Sequence, residues 1–126
     1  MKHITKHQKI PIYKGDFYLI HSDSWDYVQE TTKRKHDHDI YGFATCGPFG
    51  YALVLNTYLE RIPLKYGIIT HEAFHIASMI LENSGYSHDP NNEEPFAYLA
   101  EWIADEAFIF LKENKLFHRL KFANEC

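Results

Sequence analysis

The sequence predicts an α+β architecture, and three observations carry that expectation. Ile69, Ala73, Ile76, Ala77 and Ile80 recur at the spacing of one helix face. Two β-prone runs, residues 40–45 and 51–58, flank the link Cys46-Gly47-Pro48-Phe49-Gly50, which has the length and composition of a hairpin connection. The chain has 126 residues, 45% of them apolar, with nine Phe, nine Tyr and two Trp. That is one domain (1–126) able to bury a core without metal or disulfide staples, with no room for a second. The expected assembly is a small antiparallel sheet packed on the helix over 65–84, closed by a second, C-terminal helix.

Taken in order, residues 1–9 are polar and charged, with no apolar stretch of the kind a signal peptide carries, and are expected to be a frayed end. Residues 10–13 and 17–20 are β-rich runs separated by Lys14-Gly15-Asp16, a turn signal, and Pro11 restricts the first run to a sheet edge. Ser22-Asp23-Ser24 offers caps for a short helix from Trp25 to about Thr32, with Trp25, Val28 and Thr32 facing inward. Residues 33–39 form a charged loop before the hairpin. Pro63 breaks the chain ahead of the helix over 65–84, and Asn83-Ser84-Gly85 supplies a glycine for its left-handed C′ position. After the loop at 87–91, Asn92 is the expected N-cap of a helix over 93–113, with Pro95 in its first turn. Ala97, Ala100, Ala104 and Ala107 form a small-residue stripe that lets two helices approach closely, although alanine is also simply the best helix former. Phe96, Leu99, Ile103 and Phe110 make the adjoining core stripe. The tail over 116–126 is expected to pack as a short helical segment.

The chemistry concentrates in His71-Glu72-Ala73-Phe74-His75. H-E-x-x-H on a helix places two imidazoles one turn apart, where both can hold one metal ion, with the intervening glutamate beside it as a base. Zinc suits two neutral imidazoles and a carboxylate with a fourth position open; it lowers the pKa of bound water to about 7 and polarises a carbonyl. Glu94 follows His75 after eighteen residues, near the start of the second helix, and is the expected carboxylate ligand. Glu93 competes for that role, and either glutamate also suits the first turn of a helix as a dipole-complementing acid.

The spacing H-E-x-x-H, eighteen residues, Glu resembles the zinc-ligand pattern of the aminopeptidase-N group of gluzincins, and nearly that of thermolysin. Glu93-Glu94-Pro95-Phe96-Ala97-Tyr98-Leu99 is similar to a segment of small metallopeptidase-like proteins from bacteriophages and mobile elements. A looser likeness is to the ImmA/IrrE peptidases. The likeness covers residues 68–103. The G-x-M-E-N motif of the aminopeptidases is absent, so specificity for a free amino terminus is not implied. The resemblance implies a minimal zincin-like metallopeptidase fold, a Zn2+ held by His71, His75 and Glu94, and Glu72 as general base.

Other constellations are weaker. His36-Asp37-His38-Asp39 pairs ligand types in a loop, but nothing downstream completes a set, and loop His and Asp are ordinarily solvated. Tyr86 and His88 lie between the two helices, where either is a candidate oxyanion donor. Glu101 and Asp105 share nearly one face with Glu94 and are candidates to accept a ring N–H of a ligating histidine, or else belong to an exposed acidic face. His21 and His118 have no partner pattern. Cys46 lacks the paired histidine motif of a thiol protease, and with Cys126 it makes no disulfide framework.

A formal net charge of −4 argues against a nucleic-acid partner, and no run approaches the roughly eighteen apolar residues of a membrane span. Two thiols fit a reducing, cytoplasmic location, bacterial or host cytoplasm for a phage-encoded chain. The expected function is zinc-dependent hydrolysis of a peptide or protein amide bond, with a peptide or protein substrate, a host protein included. The competing expectation is a catalytically silent zincin-fold binding or inhibitor module with structural zinc; a third is amide hydrolysis on a small molecule.

Overall fold

The computed structural model describes residues 3–22, 25–33, 42–55, 64–87 and 89–122. Its elements are β1 (His3–Lys9), β2 (Asp16–Ser22), α1 (Trp25–Thr32), β3 (Gly42–Gly47), β4 (Gly50–Leu55), α2 (Tyr66–Asn83) and α3 (Glu94–Glu113), followed by a 3₁₀ turn at Phe117–Arg119. Successive side chains of a strand point to opposite faces, and this sheet is apolar on both. Phe17, Leu19, Leu53 and Leu55 face the core shared with α2 and α3. Ile20, Phe43, Ala52 and Val54 face Val28 of α1. The layers are therefore α1, sheet, and the α2–α3 pair. The α+β class holds. Among the described residues no helix is long and apolar enough to cross a membrane.

Four expectations need correction. The sheet is mixed, in the order β1-β2-β4-β3: β1 and β3 pair antiparallel with their neighbours, but β2 and β4 run parallel. Parallel neighbours need a crossover, and the chain makes one through α1 before returning by the β3–β4 hairpin. Residues 3–9, expected to fray, form β1, whose inner positions are Ile4, Lys6 and Gln8: Lys6 Nζ donates to Glu113 at 2.8 Å and Gln8 Nε2 to Glu106 at 2.7 Å, while Gln8 Oε1 is buried with no partner among the described residues. Residues 10–13 are a turn rather than a strand, closed by Ile10 N–H to Gly15 C=O at 3.1 Å. Finally, Glu93 and not Asn92 occupies the N-cap position of α3.

The β1–β2 turn is held from outside by Asp16, whose carboxylate accepts from the Lys9 ammonium and from His7 Nε2 at 2.6 Å. Those contacts, the Lys9 hydrogen bond first, keep the Asp16 carboxyl below its ordinary range. In the β3–β4 hairpin, Gly50 has φ +119, and a Cβ there would meet the Asp16 carbonyl oxygen of β2, so only glycine fits. α1 follows its expected range, with Val28 buried and Thr32 Oγ1 donating to the Val28 carbonyl at 2.8 Å. The Trp25 side chain lies outside the described residues.

Helices α2 and α3 run antiparallel, since Phe74 packs on Phe96 with ring centres 4.8 Å apart and Tyr66 lies 6.2 Å from Phe108. Of the alanine stripe, Ala107 is fully buried and Ala100 and Ala104 pack in the same core as the buried Ala73 and Ala77 of α2, whereas Ala97 is exposed. Both helices end alike. After α2, Gly85 (φ +89) donates to the Glu82 carbonyl and Tyr86 to that of Leu81 at 2.9 Å. After α3, Lys115 (φ +59) donates to the Lys112 carbonyl and Leu116 to that of Leu111 at 2.8 Å. Each is a Schellman closure, one with the glycine it favours and one with a lysine in its place.

The difference is measurable. Gly85→Ala places a Cβ on a left-handed residue and is expected to cost about 1 kcal/mol, whereas Lys115→Gly relieves such a residue and is expected to gain about 0.5 kcal/mol. Urea unfolding at unchanged slope tests both, and a stabilising Gly85→Ala would contradict the cap assignment.

Candidate metal centre

α2 is covered on two flanks. Ile69, Ala73, Ile76, Ala77 and Ile80 are turned to the sheet and to α3, and all are at most 1% exposed. At about 100° per residue, that leaves one outward strip, and His71, His75, Ser78 and Glu82 fall on it. The histidine Nε2 atoms face one another at 3.2 Å. Two nitrogens bound to one tetrahedral zinc at about 2.0–2.1 Å sit about 3.3 Å apart, so the pair already spans one edge of that coordination polyhedron. In the pair itself, whichever ring carries a proton on Nε2 donates it to the other.

Glu72 is held differently. It lies on the flank of α2 facing β3, only 12% exposed where His71 is 62% exposed, with its carboxylate 4.0 Å from His71 Nε2. Burial raises its pKa, against the opposing pull of His71, His75 and the backbone N–H of Ala44. Burial disfavours the charged form, which makes the carboxylate a stronger base. The Ala44 contact ties the glutamate to β3. That strand is the sheet edge beside α2, because β4 lies between β2 and β3.

The third ligand is not brought in. Among the described residues no three His, Cys, Asp or Glu side chains converge as a metal site. Glu94 opens α3 two residues before Phe96, about 200° around the helix from the ring that meets α2. It instead lines a groove of about 500 Å3 with Pro11–Tyr13, Tyr98 and Trp102. Glu93 is exposed at the N-cap, its carbonyl accepting from Ala97. Glu101 and Asp105 are exposed on α3. Tyr86 lines a cavity beyond Ser78 rather than the space between the histidines. Cys46 lies within β3, since Pro48-Phe49 forms the hairpin turn, and His118 is in the 3₁₀ turn. His36, Asp37, His38, Asp39, His88 and Cys126 lie outside the described residues.

Two features escaped the sequence. The hold of Ala44 on Glu72 joins residues from separate elements and has no local signature. The cavity lined by Ser78, Glu82, Tyr86 and Phe96 had one, because Ser78 and Glu82 continue the His71–His75 face at helical spacing. No known family model, curated protein or solved structure matches the chain.

The histidine pair predicts a metal stoichiometry. Purified protein reconstituted with zinc is expected to retain about one equivalent per chain by elemental analysis, and His75→Ala to lose most of it. Full zinc retention by His71→Ala and His75→Ala together would reject the site.

Proposed function

We propose that the protein is a zinc-dependent hydrolase of peptide amide bonds. The observation that carries the proposal is the two facing Nε2 atoms at 3.2 Å, with a largely buried carboxylate 4.0 Å from one of them. Zinc held by that pair would supply a Lewis acid that acidifies water and polarises a carbonyl. Glu72 takes the proton of the attacking water and returns it to the leaving amine nitrogen, and its burial keeps bulk water from competing. An extended peptide is placed alongside β3, the edge strand that runs beside Glu72.

The third donor comes from α3. Glu94 has the gluzincin spacing, but Glu101 has the better position. Near the start of α3 the residue facing α2 is Phe96, half a turn from Glu94. Farther along it is Phe108, which shares the face of Glu101 seven residues earlier. Between those two contacts Glu101 comes level with His71 along the antiparallel pair. Zinc competition with a chelator is expected to show a greater loss of affinity for Glu101→Ala than for Glu94→Ala; the reverse order restores Glu94 as ligand.

The exposure of both histidines favours, as second reading, a binding module whose metal-bearing face meets a partner. One comparison separates the two. Wild type incubated with a peptide library is expected to generate new termini, and Glu72→Gln to generate about 100-fold fewer while keeping its zinc. Equal numbers of termini from both proteins would sink the proposed role of Glu72, and no termini from either would favour the binding module.

A further inference from the structure

The outward strip of α2 does not end at the histidines. It continues through Ser78 and Glu82 into a cavity of about 320 Å3, bounded across from them by Tyr86, Asp89, Pro95 and Phe96. We propose that this cavity takes the side chain of a lysine or arginine next to the scissile bond, an inference that rests on the hydrolytic reading above.

Position is the first argument. Ser78 stands one helical turn beyond His75. Phe96 forms a wall, and its ring lies 4.8 Å from that of Phe74, which in turn is 5.9 Å from the ring of His75. A peptide whose carbonyl reaches the histidine pair has its neighbouring side chain at the mouth of this cavity.

Charge and shape are the second. Glu82 and Asp89 bring carboxylates from opposite sides, one from α2 and one from the α2–α3 connection, and no described lining residue is cationic. Asp89 Oδ1 accepts the Asn91 N–H at 2.9 Å, which fixes the carboxylate and leaves its second oxygen to a ligand. Tyr86 and Phe96 offer aromatic faces that suit both the methylene stem and the charged head of a long basic side chain. Tyr86 is itself held, by its N–H to Leu81 and by edge contact with Tyr13 at 6.4 Å. The volume is at the small end for ligand sites, room for one extended side chain.

Glu82 supplies the third. It sits in the last turn of α2, where no basic residue offsets it. A carboxylate at a helix C-terminus opposes the helix dipole, so the fold gains nothing from it there. A cation in the cavity removes that conflict.

The test does not depend on catalysis. N-acetyl-arginine methylamide and N-acetyl-norleucine methylamide are titrated into the full chain, following the backbone amide resonances of Ser78, Tyr86 and Asp89. The arginine compound is expected to bind about tenfold more tightly, as one charge-assisted hydrogen bond implies, and to lose that preference in the Glu82→Gln, Asp89→Asn double variant. Equal affinities, shifts confined to other residues, or a preference that survives in the double variant would overturn the proposal. Both substitutions are at exposed positions, and the amide spectrum reports directly whether the variant is folded. Cleavage of a peptide library separates this idea from its premise. Termini without Lys or Arg enrichment beside the cut reject the subsite and keep hydrolysis. Arginine binding with no cleavage supports a basic side-chain site and rejects hydrolysis.

Discussion

α2 is buried along two flanks at once, by the sheet on one and by α3 on the other, and the candidate site follows from that constraint. A fully buried isoleucine is worth about 1.5–3 kcal/mol over an exposed one, and Ile69, Ile76 and Ile80 are all buried on this helix. Turning α2 to shelter the histidines would expose those side chains, so its rotation is fixed by the core. His71 and His75 are then forced together on the only polar strip, one turn apart, and Glu72 is forced toward β3. Hydrophobic burial sets the position of the polar groups, although it involves none of their atoms.

The same rotation gives the three motif residues different environments. The histidines stand out where an ion and a substrate can reach them, and Glu72 is tucked against the sheet edge under the N–H of Ala44. A carboxylate in that position is restrained by an element other than its own helix. The strand that restrains it lies at an edge of the sheet, so the glutamate is tied to that edge by one hydrogen bond.

α3 contributes in two ways. Its buried stripe closes the core over Phe17, Leu19 and Leu53, and its carboxylates reach across to β1, where Glu106 and Glu113 meet Gln8 and Lys6. The ring contacts of α3 with α2 fall on different sides of the helix, Phe96 near its start and Phe108 toward its end. Spacing along the chain therefore does not by itself select which glutamate faces the histidines.

The sequence by itself determined the elements whose signals are local. The apolar period of α2, the Gly85 stop, the Pro48-Phe49 turn and the extent of α3 all follow from residues within a few positions of one another, and so does the approach of His71 to His75 within one helical turn. Tertiary structure decided the rest, because those outcomes depend on residues far apart in the chain. β1 was illegible since its inner positions carry Lys6 and Gln8, which are tolerable there only because α3 presents Glu113 and Glu106. The parallel pairing of β2 with β4, and with it the place of β3 at the end of the strand order, depends on how the crossover through α1 returns. The distance of Glu94 from the histidines is likewise fixed by helix packing, which a count of eighteen residues does not contain.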